Sequence, residues 1–282
     1  MDPIDLEGVP RELGFAQGRA ARAELQAICG PRDVLARALD GLGHMDAGSA
    51  RWWRDLRRHF PHQAEWLEGA ARGAGLPLPA LARNARASLA APQHALVALE
   101  DGEARLVCAT PARASLRRVA PEGRFRSLEL ALPELPTPWL GVNAAGLAVA
   151  ATPGALGVGT CAAPAAHFAR DCLERFESVA SALAWCLGRP AAPGAALLLA
   201  DASGEIAGVE LTAQGRRVRR PERGVLAFGV DPALATALEK EPGAACADPR
   251  ARALSYRGVT LSFEEPLSHS ATASSGSRVT AK

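Results

Sequence analysis

The hydrophobic pattern changes period near Ala90, and that change limits the folds open to this chain. Before it, apolar residues recur every three or four positions, the spacing of one helix face. Phe15–Cys29 is rich in Ala, Arg, Glu and Gln and stops at Gly30-Pro31. Val34–Leu42, Ala50–His59, Gln63–Arg72 and Pro79–Leu89 extend the helical series, the last with proline near its first turn. After Ala90, short apolar runs alternate with turn residues. His94–Leu99, Asp101-Gly102 and Ala104–Ala109 read as a hairpin. Ser115–Ala120, Arg126–Ala131, Trp139–Val142 and Gly146–Ala151 read as further strands. Two helices follow, Ala165–Phe176 and Val179–Leu187. Ala195–Ala200 and Glu205–Leu211 make a second hairpin around Asp201–Gly204, and Arg216–Arg219 and Val225–Phe228 close the series. Helices, strands, helices and strands in that order predict an α+β fold with segregated helices, not a βαβ repeat.

The chain has 282 residues, about half of them hydrophobic, enough to bury a core within one domain. The expected domain is 1–267, with a helical N-terminal segment over residues 1–90 and a sheet-and-helix segment over residues 91–267. Residues 268–282 are rich in Ser, Thr and Ala and are expected to be disordered. With 32 basic and 30 acidic residues the net charge is +2, which leaves no electrostatic footprint for nucleic acid. Thirty of the basic residues are Arg, spread along the chain; only Lys240 and Lys282 are Lys. No segment approaches the roughly 18–20 apolar residues that span a bilayer. The opening MDPIDLEGVPRELG holds no apolar run behind a basic stretch, so no export signal and a cytoplasmic location are expected. The six cysteines, at irregular spacings without Cys-x-x-Cys, read as reduced buried thiols. His59 and His62 flank Pro61 with no third ligand near, so no metal is expected. Gly157–Gly159 is too short for a dinucleotide fingerprint, and no cofactor is expected.

Four blocks carry a resemblance. They are GVPRELGFAQGRAARAEL (Gly8–Leu25), AEWLEGAARGAGLPLPALARNARASL (Ala64–Leu89), WLGVNAAGLAVA (Trp139–Ala150), and HFARDCLERFESVASALAWCL with LLLADASGEIAGVEL (His167–Leu187 and Leu197–Leu211). In this order the set resembles the acyl-coenzyme A:6-aminopenicillanic-acid acyltransferase-like family, whose members are cysteine N-terminal-nucleophile hydrolases. The resemblance runs from about Gly8 to about Leu238, and its most specific element is the Gly-x-Asn-x-x-Gly-Leu turn. It implies a four-layer αββα sandwich of two antiparallel sheets, with a helical N-terminal segment. It also implies a chemistry. A precursor cleaves itself before a cysteine, whose thiol is then the nucleophile and whose free α-amine is the base. A carboxylate orients the amine, and asparagine donors stabilise the oxyanion.

Three elements of that machine are absent. The family's nucleophile, in a Gly-Cys-Thr-like triplet, falls near Ala91 or Pro92, and neither has a nucleophilic group. The orienting carboxylate of an Asn-x-Asp-Trp-like motif falls in Cys108-Ala109-Thr110-Pro111 and is missing. The oxyanion Asn of a Thr-Asn-His triplet falls at Phe228-Gly229, and the chain's only asparagines are Asn84 and Asn143. Loss of one such member removes most of the rate and further losses add little. The expectation is therefore a pseudoenzyme without autoproteolysis: a degenerate acyltransferase or amidohydrolase relative retained for a small-molecule amide or acyl ligand or a partner.

Other readings stay open. Cys108, with His94 on the neighbouring strand as base, is a fallback catalytic pair in an enzyme with relocated chemistry. A third reading is an assembly element with no retained site. Asn143 is read as turn geometry or a ligand contact. Arg170 is read as pairing with a carboxylate of the fold or of a substrate. The arginines Arg216, Arg217, Arg219, Arg220 and Arg223 read as a solvated hairpin face rather than an anion site.

Overall fold

The computed structural model describes residues 3–30, 43–89, 95–100, 103–108, 113–153, 167–189, 195–212, 215–221, 225–228, 251–256, 259–264 and 279–280. The elements in chain order are β1 (Ile4–Gly8), α1 (Pro10–Ala20), α2 (Arg22–Cys29), α3 (Ala47–His59), α4 (Pro61–Ala74), α5 (Leu78–Ser88), β2 (Ala95–Glu100), β3 (Glu103–Cys108), β4 (Ser115–Pro121), β5 (Ser127–Ala131), β6 (Leu140–Asn143) and β7 (Ala148–Pro153). Then come α6 (His167–Arg175), α7 (Val179–Gly188), β8 (Ala195–Ala200), β9 (Ile206–Thr212), β10 (Gly215–Arg219), β11 (Val225–Phe228), β12 (Ala251–Tyr256), β13 (Val259–Glu264) and β14 (Val279–Thr280).

Helix ends follow local chemistry. Pro10 and Pro61 open α1 and α4, where a missing N–H costs nothing. Asp46 caps α3 by accepting from the Ser49 N–H at 3.0 Å and its hydroxyl at 2.6 Å. Gly75, at φ 69°, ends α4 in the left-handed conformation that glycine adopts without strain.

Two sheets form. The first holds eight strands in the order β1-β4-β5-β6-β7-β8-β9-β10, antiparallel except for the β1–β4 edge. The second holds six in the order β11-β2-β3-β13-β12-β14, with parallel pairs at β3–β13 and β12–β14. Register gives each face of the first sheet its own row. Arg117, Glu129 and Gly141 are cross-strand neighbours on one face, beneath α1 and α6. Leu116, Leu130 and Leu140 are neighbours on the other. They join a core that also takes in Leu106 of β3 and Leu226 of β11. Strand β5 is consequently buried at all five positions.

The sequence expectation and the structure differ in several features, among them the parallel pairs β1–β4, β3–β13 and β12–β14 in sheets expected to be antiparallel. The helix expected over Phe15–Cys29 is two helices that meet at Ala21, and the first starts at Pro10. A strand, β1, precedes it within the segment expected to be helical. Val279–Thr280 pairs with Leu254 and Ser255. The helix expected at Val34–Leu42 lies outside the described residues. Among the described residues no helix is long and apolar enough to cross a membrane.

Helices α1 and α4 touch backbone to backbone. A β-carbon on Gly14 or Gly18 would overlap the carbonyls of Trp66 or Ala70. One on Gly69 or Gly73 would overlap those of Arg11 or Phe15. The two runs GFAQG and GAARG thus face each other, and the contact fixes where Gln17 and Trp66 sit.

Candidate functional site

Strand pairing brings together three strand ends that are followed or preceded in sequence by the stretches where the resemblance expects catalytic groups. β2 begins at Ala95, three residues after Pro92, and β3 ends at Cys108, the residue before Ala109. β11 ends at Phe228. Ala95 is paired with Cys108 on one side and with Phe228 on the other. Cys108 is paired in turn with Phe263 of β13. Phe228, Ala95, Cys108 and Phe263 therefore form one row across the same end of the six-stranded sheet. Cys108 is the only member of the row with a nucleophilic side chain. The position opposite Cys108 is Ala95; His94, one residue earlier, lies outside the described residues, as do Ala91, Pro92, Ala109–Pro111 and Gly229.

Arg170 is placed elsewhere, on the helix-covered face of the eight-stranded sheet. Its guanidinium is wholly buried and grips Glu129 with both terminal nitrogens, at 2.7 and 2.6 Å. Arg117 holds the same carboxylate at 2.8 Å through Nε. The carbonyls of Leu135 and Pro136 accept from Arg117, and that of Pro136 also from Arg170. Trp66 faces both cations, at 5.2 and 4.4 Å from its ring centre. Gln17 completes the cluster, accepting from Trp66 Nε1 and Arg117 and donating to the carbonyls of Pro133 and Leu135. Burial alone would raise the Glu129 carboxyl. Arg170 and Arg117, with the Ser127 hydroxyl, outweigh it and hold the carboxyl below its usual range. Burial pulls Arg117 down to about 10, which still leaves it charged at neutral pH. The partner of Arg170 is thus a carboxylate of the fold.

Asn143 is 1% exposed and uses its whole amide. Nδ2 donates to the carbonyls of Leu173 and Phe176 at 2.9 and 2.7 Å. Oδ1 accepts from the N–H groups of Ala145 and Leu147. It ties the β6–β7 turn to the end of α6. It also lines a cavity of about 470 Å³ with Asp5, Arg118, Ser127, Leu128 and Val142.

A second concavity, of about 730 Å³, opens among Arg58, His62, Arg124, Asp171, Glu174 and Trp185. His62 Nε2 lies 3.5 Å from Asp171 Oδ2. Burial raises the Glu174 carboxyl despite Arg170, 3.7 Å away. Behind the cleft, His167 is fully buried against Trp52 and Phe60. Its Nδ1 meets Gln63 Oε1 at 2.6 Å, while Nε2 has no hydrogen-bond partner among the described residues. Burial, and then the charge of His62, push this imidazole down to about 3. Nδ1 therefore donates and the ring is neutral. Among the described residues no group of three or more His, Cys, Asp and Glu could hold a metal ion.

Sequence reasoning missed Gln17, Trp66, Arg117 and Glu129 because they are scattered over more than a hundred residues. The available signal was a charge inside an apolar strand, Glu129 between Leu128 and Leu130. It reads as an outward position unless the other face is also known to be covered.

No family model matches the sequence, and no curated protein matches it. Solved structures do share partial similarity. A variant of conjugated bile acid hydrolase from Clostridium perfringens is 16% identical over 48% of this chain and 44% of that chain, with a TM-score of 0.28. Penicillin V acylase from Agrobacterium tumefaciens is 16% identical over 55% of this chain and 51% of that chain, with a TM-score of 0.32. The matched region spans about half the length of each of these proteins.

Proposed function

We propose that this chain is a catalytically degenerate relative of the acyltransferases and amidohydrolases of the N-terminal-nucleophile type. In this reading residues 1–267 are one domain, a four-layer αββα sandwich, retained to bind a small amide or acyl ligand or a partner. The row Phe228–Ala95–Cys108–Phe263 carries the reading. Three stretches picked out separately in the sequence meet or adjoin at one sheet end, as the pieces of one former active site would. The residues there that correspond to nucleophile, carboxylate and oxyanion donor lack the groups for those roles.

The test is a denaturing gel of the purified full chain, with an aryl amide and an acyl thioester as substrates. One unprocessed band and no turnover above buffer are expected. Two fragments of about one-third and two-thirds of the chain, or any turnover above buffer, overturn the reading, and turnover lost in Cys108→Ala points to the reading that follows.

A second reading has one observation in its favour: Cys108 itself stands in that row. An active hydrolase or acyltransferase using this thiol would be labelled by a thiol-directed acyl probe, and Cys108→Ala would abolish both label and turnover. An unlabelled Cys108 that still reacts with a small alkylating agent removes this alternative.

A further inference from the structure

Helices α6 and α7 pack through one stripe. Phe168, Cys172 and Phe176 are spaced four apart and lie one above another along α6 and its end. Trp185 of α7 meets both rings, with centroids 5.1 Å from Phe168 and 5.8 Å from Phe176. Its neighbour Cys186 then falls opposite Cys172, with the sulfurs 3.6 Å apart. Both cysteines have no solvent exposure, and Phe168, one turn before Cys172, is equally buried.

We propose that Cys172 and Cys186 form a redox-active thiol pair that closes to a disulfide under a peroxide oxidant, stapling α6 to α7. The sulfurs need to approach from 3.6 Å to about 2.05 Å, a shift that small χ1 rotations of two facing cysteines supply. The chemistry balances with hydrogen peroxide. One thiolate attacks an O–O oxygen, giving a sulfenic acid and releasing hydroxide, which takes up the thiol's proton as water. The second sulfur then attacks the first, the S–S bond forms, and the sulfenic oxygen leaves as a second water. Two thiols lose two electrons and two protons, and the peroxide is reduced to two waters.

The surroundings set the rate. The mutual hydrogen bond and burial hold the Cys172 thiol well above its usual range, so thiolate is scarce while the helices are packed. Oxidation proceeds through local opening of α7 and quickens as pH rises. Once closed, the bond lies in the same dry seam, shielded from soluble reductants while the chain stays folded. Its location gives it a consequence. α6 supplies Asp171 and Glu174 to the larger cleft, and α7 supplies Trp185. The staple therefore holds one wall of that cleft rigid.

The experiment treats the folded full chain with hydrogen peroxide, quenches, alkylates in denaturant and maps the peptides by mass. One linked pair joining Cys172 to Cys186, two hydrogens lighter than the two thiol peptides together, is expected. Dithiothreitol in denaturant should reverse it. The oxidised protein should melt several degrees higher than the reduced one, because the bridge closes a short loop in the unfolded chain. C172S and C186S should each lose both the link and the shift. Two alkylated thiols after peroxide, conversion to sulfinic acid, links to other cysteines, or a lower melting point of the linked protein overturns the proposal. The mapping of the unaltered protein decides even where a serine variant fails to fold.

Discussion

His167 offers a quantitative test of how the interior is organised. Its ring is enclosed by Trp52 and Phe60, its Nδ1–H is committed to Gln63, and its Nε2 faces no acceptor among the described residues. A second proton would go to Nε2 and leave a charged donor unpaired in an apolar setting. That is why the imidazole falls from 6.5 to about 3. Between those values the unfolded chain binds the proton and the folded chain does not. The stability this residue contributes is therefore complete above about pH 6.5 and is lost progressively as pH falls toward 3. The loss is about 2 kcal/mol at pH 5 and about 5 kcal/mol well below pH 3. Replacing His167 with Gln keeps an N–H donor for Gln63 and removes the titration. Urea unfolding of both proteins at pH 7.5 and pH 5 measures the effect. The native protein should lose about 2 kcal/mol more than the variant over this interval. The comparison is one of slopes, so any packing cost of the variant drops out. Glu129, whose carboxyl sits below the usual carboxylate range, loses its stabilisation mainly as pH falls below the ordinary carboxylate range, and does so in both proteins. Glu174 acts in the opposite sense, its raised carboxyl giving stability that is lost as pH rises, but it does so in both proteins. Equal losses in the two proteins would refute the reasoning.

Removing one partner of the buried ion cluster should be far worse than removing all of it. Glu129→Gln leaves two guanidiniums facing each other and should cost about 3–5 kcal/mol in urea unfolding, whereas joint replacement of Arg117, Glu129 and Arg170 by Met, Leu and Met should cost much less. Gly14→Ala should drive α1 off α4 and lower the thermal midpoint by more than the same change at exposed Gly188, which meets nothing within 4 Å. Asn143→Ala strands two carbonyls and two N–H groups, and should cost at least about 1–3 kcal/mol by chemical denaturation.

Much of the element order could be read from the sequence, because it rests on local signals. The β2–β3 hairpin around Asp101-Gly102, the β8–β9 hairpin and helices α6 and α7 fall close to their expected positions. Strand β1 does alternate, with Ile4 and Leu6 less exposed than Asp5 and Glu7, but over too few residues to stand out beside the helical run that follows. The edge it makes is stabilised by pairing with β4, more than a hundred residues away. The helix break at Ala21 was hidden for a related reason: no Gly or Pro marks it. The close contact of α1 with α4 had a visible signal in the paired GxxxG runs, whose meaning depends on the helices being neighbours. The candidate site divides the same way. The residue types that the resemblance calls for and the sequence lacks were legible at counted positions. The convergence of the strand ends was not, since only the register of β11, β2 and β3 brings Phe228, Ala95 and Cys108 into one row.

The charge cluster and the row containing Cys108 lie in different sheets. Buried ions are costly unless fully paired, and here every nitrogen of Arg117 and Arg170 has an acceptor. Arg117 on β4 and Arg170 on α6 are satisfied by Gln17 of α1, Glu129 of β5 and the carbonyls of Leu135 and Pro136, with Trp66 of α4 over both, so the cluster pins helices to the eight-stranded sheet. None of them belongs to the six-stranded sheet, where the row containing Cys108 lies. The ion pairing, the glycine contact of α1 with α4 and the Asn143 turn share no residue with that sheet end. The two sheets share one apolar core through Leu106 and Leu226, but the buried ion pairs belong to the eight-stranded sheet alone. The consequence is measurable: Cys108→Ala should shift the urea midpoint far less than Glu129→Gln, and equal shifts would show that the two regions are energetically joined.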